Sequence, residues 1–267
     1  MRKNILKINK GLTYTFSAVL ALNVLVLGAY TVITNIKVSE ALEIIKPQTA
    51  SITIISEKSC EECRTMEALE RNITAQNVEI TDRKELSADQ DEAKDFLEEY
   101  EITKLPALIF TADTRINNSL QKAFEKNSTV ISDKVILWEQ RFPPFYDLAS
   151  KETQGQIDVI YLSDKSCEEC YDPAEIFAGV FKNFGISVND GEIVDLTDPE
   201  GTELVKKYDI KDVPTVILSE DTALYGEFAS VWAGVGSVEE DGKYVFRKME
   251  SIKQTSRNLE TGEITKP

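Results

Sequence analysis

From Leu12 to Thr34 the chain runs 23 residues without a charged side chain. As a helix rising about 1.5 Å per residue, that stretch is long enough to cross a hydrocarbon core of ~30 Å. Beyond it the pattern changes to short apolar runs alternating with stretches of helical period. Strands are expected over 51–56, 78–81, 107–111 and 134–139, and helices over 60–76, 88–100 and 117–124. The same order then returns. Strands are expected over 158–162, 192–196, 215–218 and 244–247, with helices running from residue 167 to about 183, over 199–208 and around 224–232. Strands that alternate with helices predict α/β units, each a mixed sheet flanked by helices.

The punctuation divides the chain. Residues 141–147 and 151–156 have turn composition and no apolar period, which places a boundary and a stiff linker there. Residues 38–48 read as a short helix or tether stopped near Pro47, and the polar end reads as a flexible tail. The expected organisation is a basic segment 1–11, an apolar span 12–34, a tether 35–48, units over 49–145 and 156–250, and a tail 251–267.

Charge refines this division. Arg2, Lys3, Lys7, Lys10 and Lys37 stand among the first 38 residues with no acid, so the remainder carries 25 bases against 46 acids, a net of −21. Such a surface repels nucleic acid. The basic flank predicts an N-terminus in the cytoplasm and everything after residue 37 outside it, the topology of a single-pass signal anchor. A cleaved signal peptide is the alternative; the length of the apolar stretch and the lack of a clean small-residue cleavage site favour the anchor. Either reading puts the chain's four cysteines where disulfides form and persist.

Those cysteines belong to an internal repeat. Ser56-Glu-Lys-Ser-Cys60-Glu-Glu-Cys63 returns as Ser163-Asp-Lys-Ser-Cys167-Glu-Glu-Cys170, each copy following an apolar run and preceding a helical stretch. The correspondence extends to Tyr100-Glu-Ile-Thr-Lys-Leu-Pro106 and Tyr208-Asp-Ile-Lys-Asp-Val-Pro214, which makes duplication the economical explanation. A Cys-x-x-Cys at a strand-to-helix junction is expected to set its first sulfur near a helix N-terminus, where orphan N–H groups favour a thiolate.

A Cys-x-x-Cys after the first strand, a Leu/Val-Pro opening a later strand and a Tyr-x-Ile ahead of that proline together resemble the thioredoxin-like superfamily, over roughly 49–140 and 156–248. The resemblance implies two tandem thioredoxin-like domains. It implies Cys60 and Cys167 as nucleophiles and Cys63 and Cys170 as resolving thiols. It also implies that Pro106 and Pro214 are cis and present backbone to an incoming peptide. There are departures. Ser59 and Ser166 stand where thioredoxins carry Trp, the buried acid of the first strand falls at Ile54 and Tyr161, and the chain has no histidine.

Glu61, Glu62, Glu168 and Glu169 would suit a helix first turn, worth roughly 0.3–1 kcal/mol each at an exposed site. Beside a sulfur they raise the thiol pKa, and Lys58 and Lys165 partly offset them. A comparatively stable disulfide is therefore expected.

Three readings of the cysteines follow. The first is thiol-disulfide exchange with protein substrates and a further redox partner, which needs no prosthetic group. The second is a non-catalytic scaffold whose disulfides staple the fold, and exposure of Cys60 and Cys167 is the feature that separates these two. The third, a four-cysteine metal site, would require both motifs to converge, and each fold unit already accounts for its own pair. Trp138 and Trp232 read as packing residues at equivalent positions in the two units.

Overall fold

A computed structural model of the protein describes residues 10–266. Helix α1 (Lys10–Ile45) contains Tyr14–Val38, 25 residues that are wholly exposed and, by length and composition, sufficient to cross a membrane. The helix runs through most of the expected tether and ends two residues before Pro47. Residues 1–9 of the basic segment lie outside the described residues.

The first unit consists of β1 (Gln48–Ser56), α2 (Glu67–Thr74), β2 (Val78–Ser87), α3 (Asp91–Glu99), β3 (Lys104–Leu105), β4 (Ala107–Ala112), α4 (Asn118–Phe124), β5 (Thr129–Val130), β6 (Val135–Glu139), β7 (Phe145–Asp147) and β8 (Glu152–Gln154). The second has β9 (Gln156–Ser163), α5 (Pro173–Phe184), β10 (Ser187–Asp195), α6 (Pro199–Lys207), β11 (Asp212–Val213), β12 (Thr215–Leu218), α7 (Gly226–Trp232), β13 (Gly236–Val238), β14 (Tyr244–Phe246), β15 (Ser256–Asn258) and β16 (Ile264–Thr265).

Each unit builds one five-stranded mixed sheet, ordered β2-β1-β4-β6-β5 in the first and β10-β9-β12-β14-β13 in the second. In both, the first two strands of the unit pair in parallel and the remaining pairs are antiparallel. Because side chains alternate across a strand, each sheet buries two apolar faces. Leu108 and Phe110 of β4 pack with Ile52, Ile54 and Trp138 on one face, while Ala107 and Ile109 pack with Ile55 and Leu137 on the other. Helices cover both faces. The helix ends are set locally: Asn117 Oδ1 accepts the Leu120 N–H at 2.8 Å, and Asp172 Oδ1 accepts the Ala174 N–H at 2.8 Å ahead of Pro173.

Two expectations are corrected here. The 141–156 segment is not a linker. Phe145 is 1% exposed, and β7 and β8 form a hairpin whose first strand pairs with β3. The tail is not loose either, since β15 and β16 form a second hairpin that pairs in the same way with β11. Isolated strands of two or three residues carry no readable period, and their partners lie more than forty residues upstream in the chain.

The two hairpins are built alike. Asp147 Oδ1 accepts the Ala149 and Ser150 N–H groups, and Asn258 Oδ1 accepts those of Glu260 and Thr261. Each turn closes through a left-handed residue, Lys151 in one and Gly262 in the other. The equivalence of the tryptophans is also corrected. Both are buried in packing, but Trp138 lies on β6 and Trp232 ends α7.

The units meet at Gly155. Its N–H donates to Asp221 Oδ2 (2.8 Å), and its carbonyl accepts from Tyr225 Oη (2.6 Å). Gly155 has φ of +85°, and a Cβ there would lie 2.0 Å from the Pro143 side chain, so glycine is required on both counts.

Candidate functional site

Strand β1 runs from the end of α1 toward the first cysteine pair, and β9 does the same for the second. Both pairs are closed as disulfides, Cys60–Cys63 and Cys167–Cys170. They stand on tight turns rather than on the first turn of a helix. The Cys63 N–H donates to Cys60 O (3.3 Å) and the Cys170 N–H to Cys167 O (3.2 Å), while α2 starts only at Glu67 and α5 at Pro173. The expected helix-terminus stabilisation of the first sulfur is therefore absent, and Glu61, Glu62, Glu168 and Glu169 sit exposed on the turns instead.

As whole residues Cys60 and Cys167 are 8% and 7% exposed, whereas Cys63 and Cys170 are half-buried; the Cys60 and Cys167 N–H groups donate back to Glu57 O and Asp164 O.

Pro106 and Pro214 both follow cis peptide bonds, as does Pro144. Cys63 Sγ lies 3.8 Å from the Leu105 carbonyl oxygen, so the first disulfide sits directly against the residue preceding Pro106. A cleft of about 280 Å³ is lined there by Cys60, Cys63, Pro106, Ile54, Arg64 and Arg83. On its other side Cys60, Glu61 and Glu62 face Gln156, Val188 and Asn189 of the second unit. The two cysteine pairs remain separate, each in its own unit, and among the described residues no cluster of metal-ligating side chains forms.

The electrostatics of the two copies differ. In the first, Glu57 Oε1 accepts the Ser59 N–H and hydroxyl, and Lys58 pairs at 3.6 Å with Asp89, both exposed. In the second, Asp164 has a side chain with 0% exposure. It accepts from the Ser166 N–H (2.9 Å) and hydroxyl (2.5 Å), and it pairs with Arg257 at 2.8 Å. Lys266 pairs with Glu169 at 2.5 Å. The Tyr171 hydroxyl donates to Pro214 O at 2.6 Å, and burial pushes that phenol's pKa up, so it stays a donor.

Asp164 lies within the repeat yet gives no signal of burial, since the matching residue in the first copy is the half-buried Glu57. Asp195, buried on β10, is a further site residue. Its Oδ2 accepts the Lys165 N–H at 2.7 Å, which fixes the turn two residues before Cys167, and its Oδ1 accepts from Thr197. The first copy has Ser87 at the matching place before the loop.

Burial acts to raise the Asp195 pKa, but the hydrogen bonds from Thr197 and Lys165 outweigh it and hold the carboxyl below its usual range. A depressed folded-state pKa means stability present above the unfolded value of about 3.9 and lost as pH falls through the folded one. The second unit is expected to lose urea resistance as pH drops below about 4, and Asp195→Asn to flatten that dependence. An unchanged pH slope in the variant would remove Asp195 from the account.

No family model and no curated protein matches the chain. Solved structures that do match include the NTD_N/C domain of alkylhydroperoxide reductase AhpF from Enterococcus faecalis, at 13% identity over 67% of this chain and 85% of that one, with a TM-score of 0.18. Full-length ERdj5 matches at 10% identity over 67% of this chain and 26% of its own, TM-score 0.18. Human ERp44 in its zinc-bound form matches at 14% identity over 66% and 48%, TM-score 0.16. The chain thus spans about a quarter of ERdj5 and about half of ERp44. With their strand order, a cysteine pair after the first strand and a cis proline opening the next antiparallel one, the two α/β units have a thioredoxin-like fold.

Proposed function

We propose that the protein is a membrane-anchored, extracytoplasmic thiol-disulfide oxidoreductase, a tandem duplication of one thioredoxin-like unit whose α1 is an uncleaved signal anchor. Its partners are protein thiols and disulfides together with a separate redox partner. The observation that carries the reading is the same in both copies: an oxidised cysteine pair at the end of the first strand, with its second sulfur-bearing residue half-buried rather than sealed.

In the exchange step a substrate thiolate attacks Cys63 or Cys170. The internal S–S bond breaks, a mixed disulfide forms, and Cys60 or Cys167 leaves as a thiolate. A second substrate thiol then releases the substrate disulfide and leaves the protein dithiol, so the substrate is oxidised; the reverse sequence reduces a substrate disulfide. This assignment inverts the nucleophile and resolving roles that the resemblance implies, and it follows the whole-residue exposures, in which Cys63 and Cys170 are the less buried members of their pairs. The exposed Glu61, Glu62, Glu168 and Glu169 disfavour a thiolate nearby and favour a stable disulfide. Lys58 and Lys165 act against them, and Pro106 and Pro214 flank the substrate path.

A second reading, a non-catalytic scaffold with structural disulfides, draws support from the burial of Cys60 and Cys167 and from the apolar or phenolic side chains at Ile54 and Tyr161. The reduction potential of each pair separates the two readings. It is read on the full chain in detergent micelles, equilibrated against thiol buffers, trapped and analysed by mass. Values between roughly −120 and −270 mV are expected for exchange, and values below about −300 mV would replace it with the scaffold reading.

A further inference from the structure

Each terminal hairpin lies beside its own disulfide. In the first unit Lys104 pairs with Asp147 and Leu105 with Tyr146, and the Leu148 N–H donates to Thr103 O at 2.9 Å. In an antiparallel ladder, bonded and non-bonded pairs alternate, so that bond makes Lys104/Asp147 the non-bonded pair and Leu105/Tyr146 the pair that exchanges backbone bonds. The second unit repeats this register. The Leu259 N–H donates to Lys211 O at 2.7 Å, and Val213 faces Arg257.

The chain just ahead of each hairpin strand is tied to the residue after the second cysteine. Arg64 Nε donates to Pro143 O (3.1 Å), and the Tyr171 N–H donates to Thr255 O (3.2 Å). A strand thus already occupies the backbone edge beside the disulfide, between the residue before the proline and the cysteine turn. An extended peptide recognised by strand addition needs such an edge free.

We propose that each terminal hairpin is a resident strap that occupies the strand-docking edge beside its own disulfide, and that a peptide thiol reaches the pair only when the strap lifts. The second strap is held harder. Arg257 reaches Asp164 and Ser166 across the cysteine turn, and Lys266 reaches Glu169, while Tyr146, at the Arg257 position of the first strap, carries no charge. The first pair therefore opens more readily. This inference deepens the exchange reading, but its test reads access rather than potential, so the two can fail separately.

The test uses the full oxidised chain in detergent micelles and two reductants, a short extended peptide with one cysteine and a small phosphine. Mixed disulfides and freed thiols are counted by mass at each pair. Wild type is expected to react with the peptide several-fold faster at Cys60–Cys63 than at Cys167–Cys170.

Tyr146→Pro removes the N–H that faces Leu105. It is expected to raise the peptide rate at the first pair at least tenfold, to leave the second pair in the same molecule unchanged, and to alter the phosphine rate less than threefold. Arg257→Pro is expected to do the mirror of this. Should a proline variant fail to fold, Asp147→Ala and Asn258→Ala remove the side-chain bonds that close the hairpin turns, the latter also its bond to Asp212, while keeping every backbone N–H of the paired edge, and a rise of about threefold at the matching pair is expected. Peptide rates that stay unchanged while hydrogen exchange shows the hairpin released would overturn the strap, as would a rise equal for peptide and phosphine.

Discussion

Phe145→Ala is expected to lower the stability of the first unit by about 3–5 kcal/mol. The ring is 1% exposed and lies on β7, with Lys104 Nζ 4.2 Å from its centroid, so truncation loses both the burial and the cation contact. Because β7 is joined to the rest of its unit through the two-residue strand β3, the packing of Tyr146 and Leu148 and this side chain, the loss is local before it is global. Hydrogen exchange in residues 145–154 should accelerate first, and the urea midpoint of the first unit should fall while that of the second holds. If protection across that segment survives the substitution, Phe145 is not what anchors the hairpin.

Arg257→Ala is expected to cost the second unit roughly 2–3 kcal/mol. Asp164 has no exposed side-chain surface, and removing the guanidinium leaves its carboxylate with Ser166 alone. Removing one partner of a fully buried pair costs about 3–5 kcal/mol; here Arg257 is 35% exposed, so water replaces part of what is lost and the lower figure applies. Asp164→Asn in the Arg257→Ala background should recover part of the stability, because no charge is then left unpaired. A double-mutant cycle on denaturant midpoints measures this. A coupling near zero would show that the Ser166 bonds alone hold the turn.

Much of the molecule was open to reading from its residues. The apolar stretch beginning at Leu12 is helical, the strands found at 51–56 and 107–111 hold their central residues in β1 and β4, and Pro106 and Pro214 stand in equivalent places in the two units. These are local signals, carried by an unbroken apolar run, by period two, or by a motif repeated in register. What escaped was non-local. Lys104 gives no hint that it lies opposite Asp147, and Asp195 gives none that its carboxylate holds the Lys165 N–H thirty residues upstream. Of the two readings of 38–48, a short helix or a tether, the helical one holds, but as a continuation of α1: helix propagation through Ser39-Glu-Ala-Leu-Glu43 costs little once α1 is nucleated, so the helix runs on to Ile45.

The sequence by itself determined the two α/β units, the pairing of each cysteine with its near neighbour, the apolar helix ahead of them and the acidic surface, because each is written in composition or in spacing along the chain. Tertiary structure alone decided which cysteine of each pair is the more buried, which acids are buried beside the second pair, and that a hairpin from the end of each unit lies along the backbone next to its disulfide. Those outcomes depend on hydrogen bonds between segments distant in the chain, and a backbone donor or acceptor has no residue type by which its partner can be recognised.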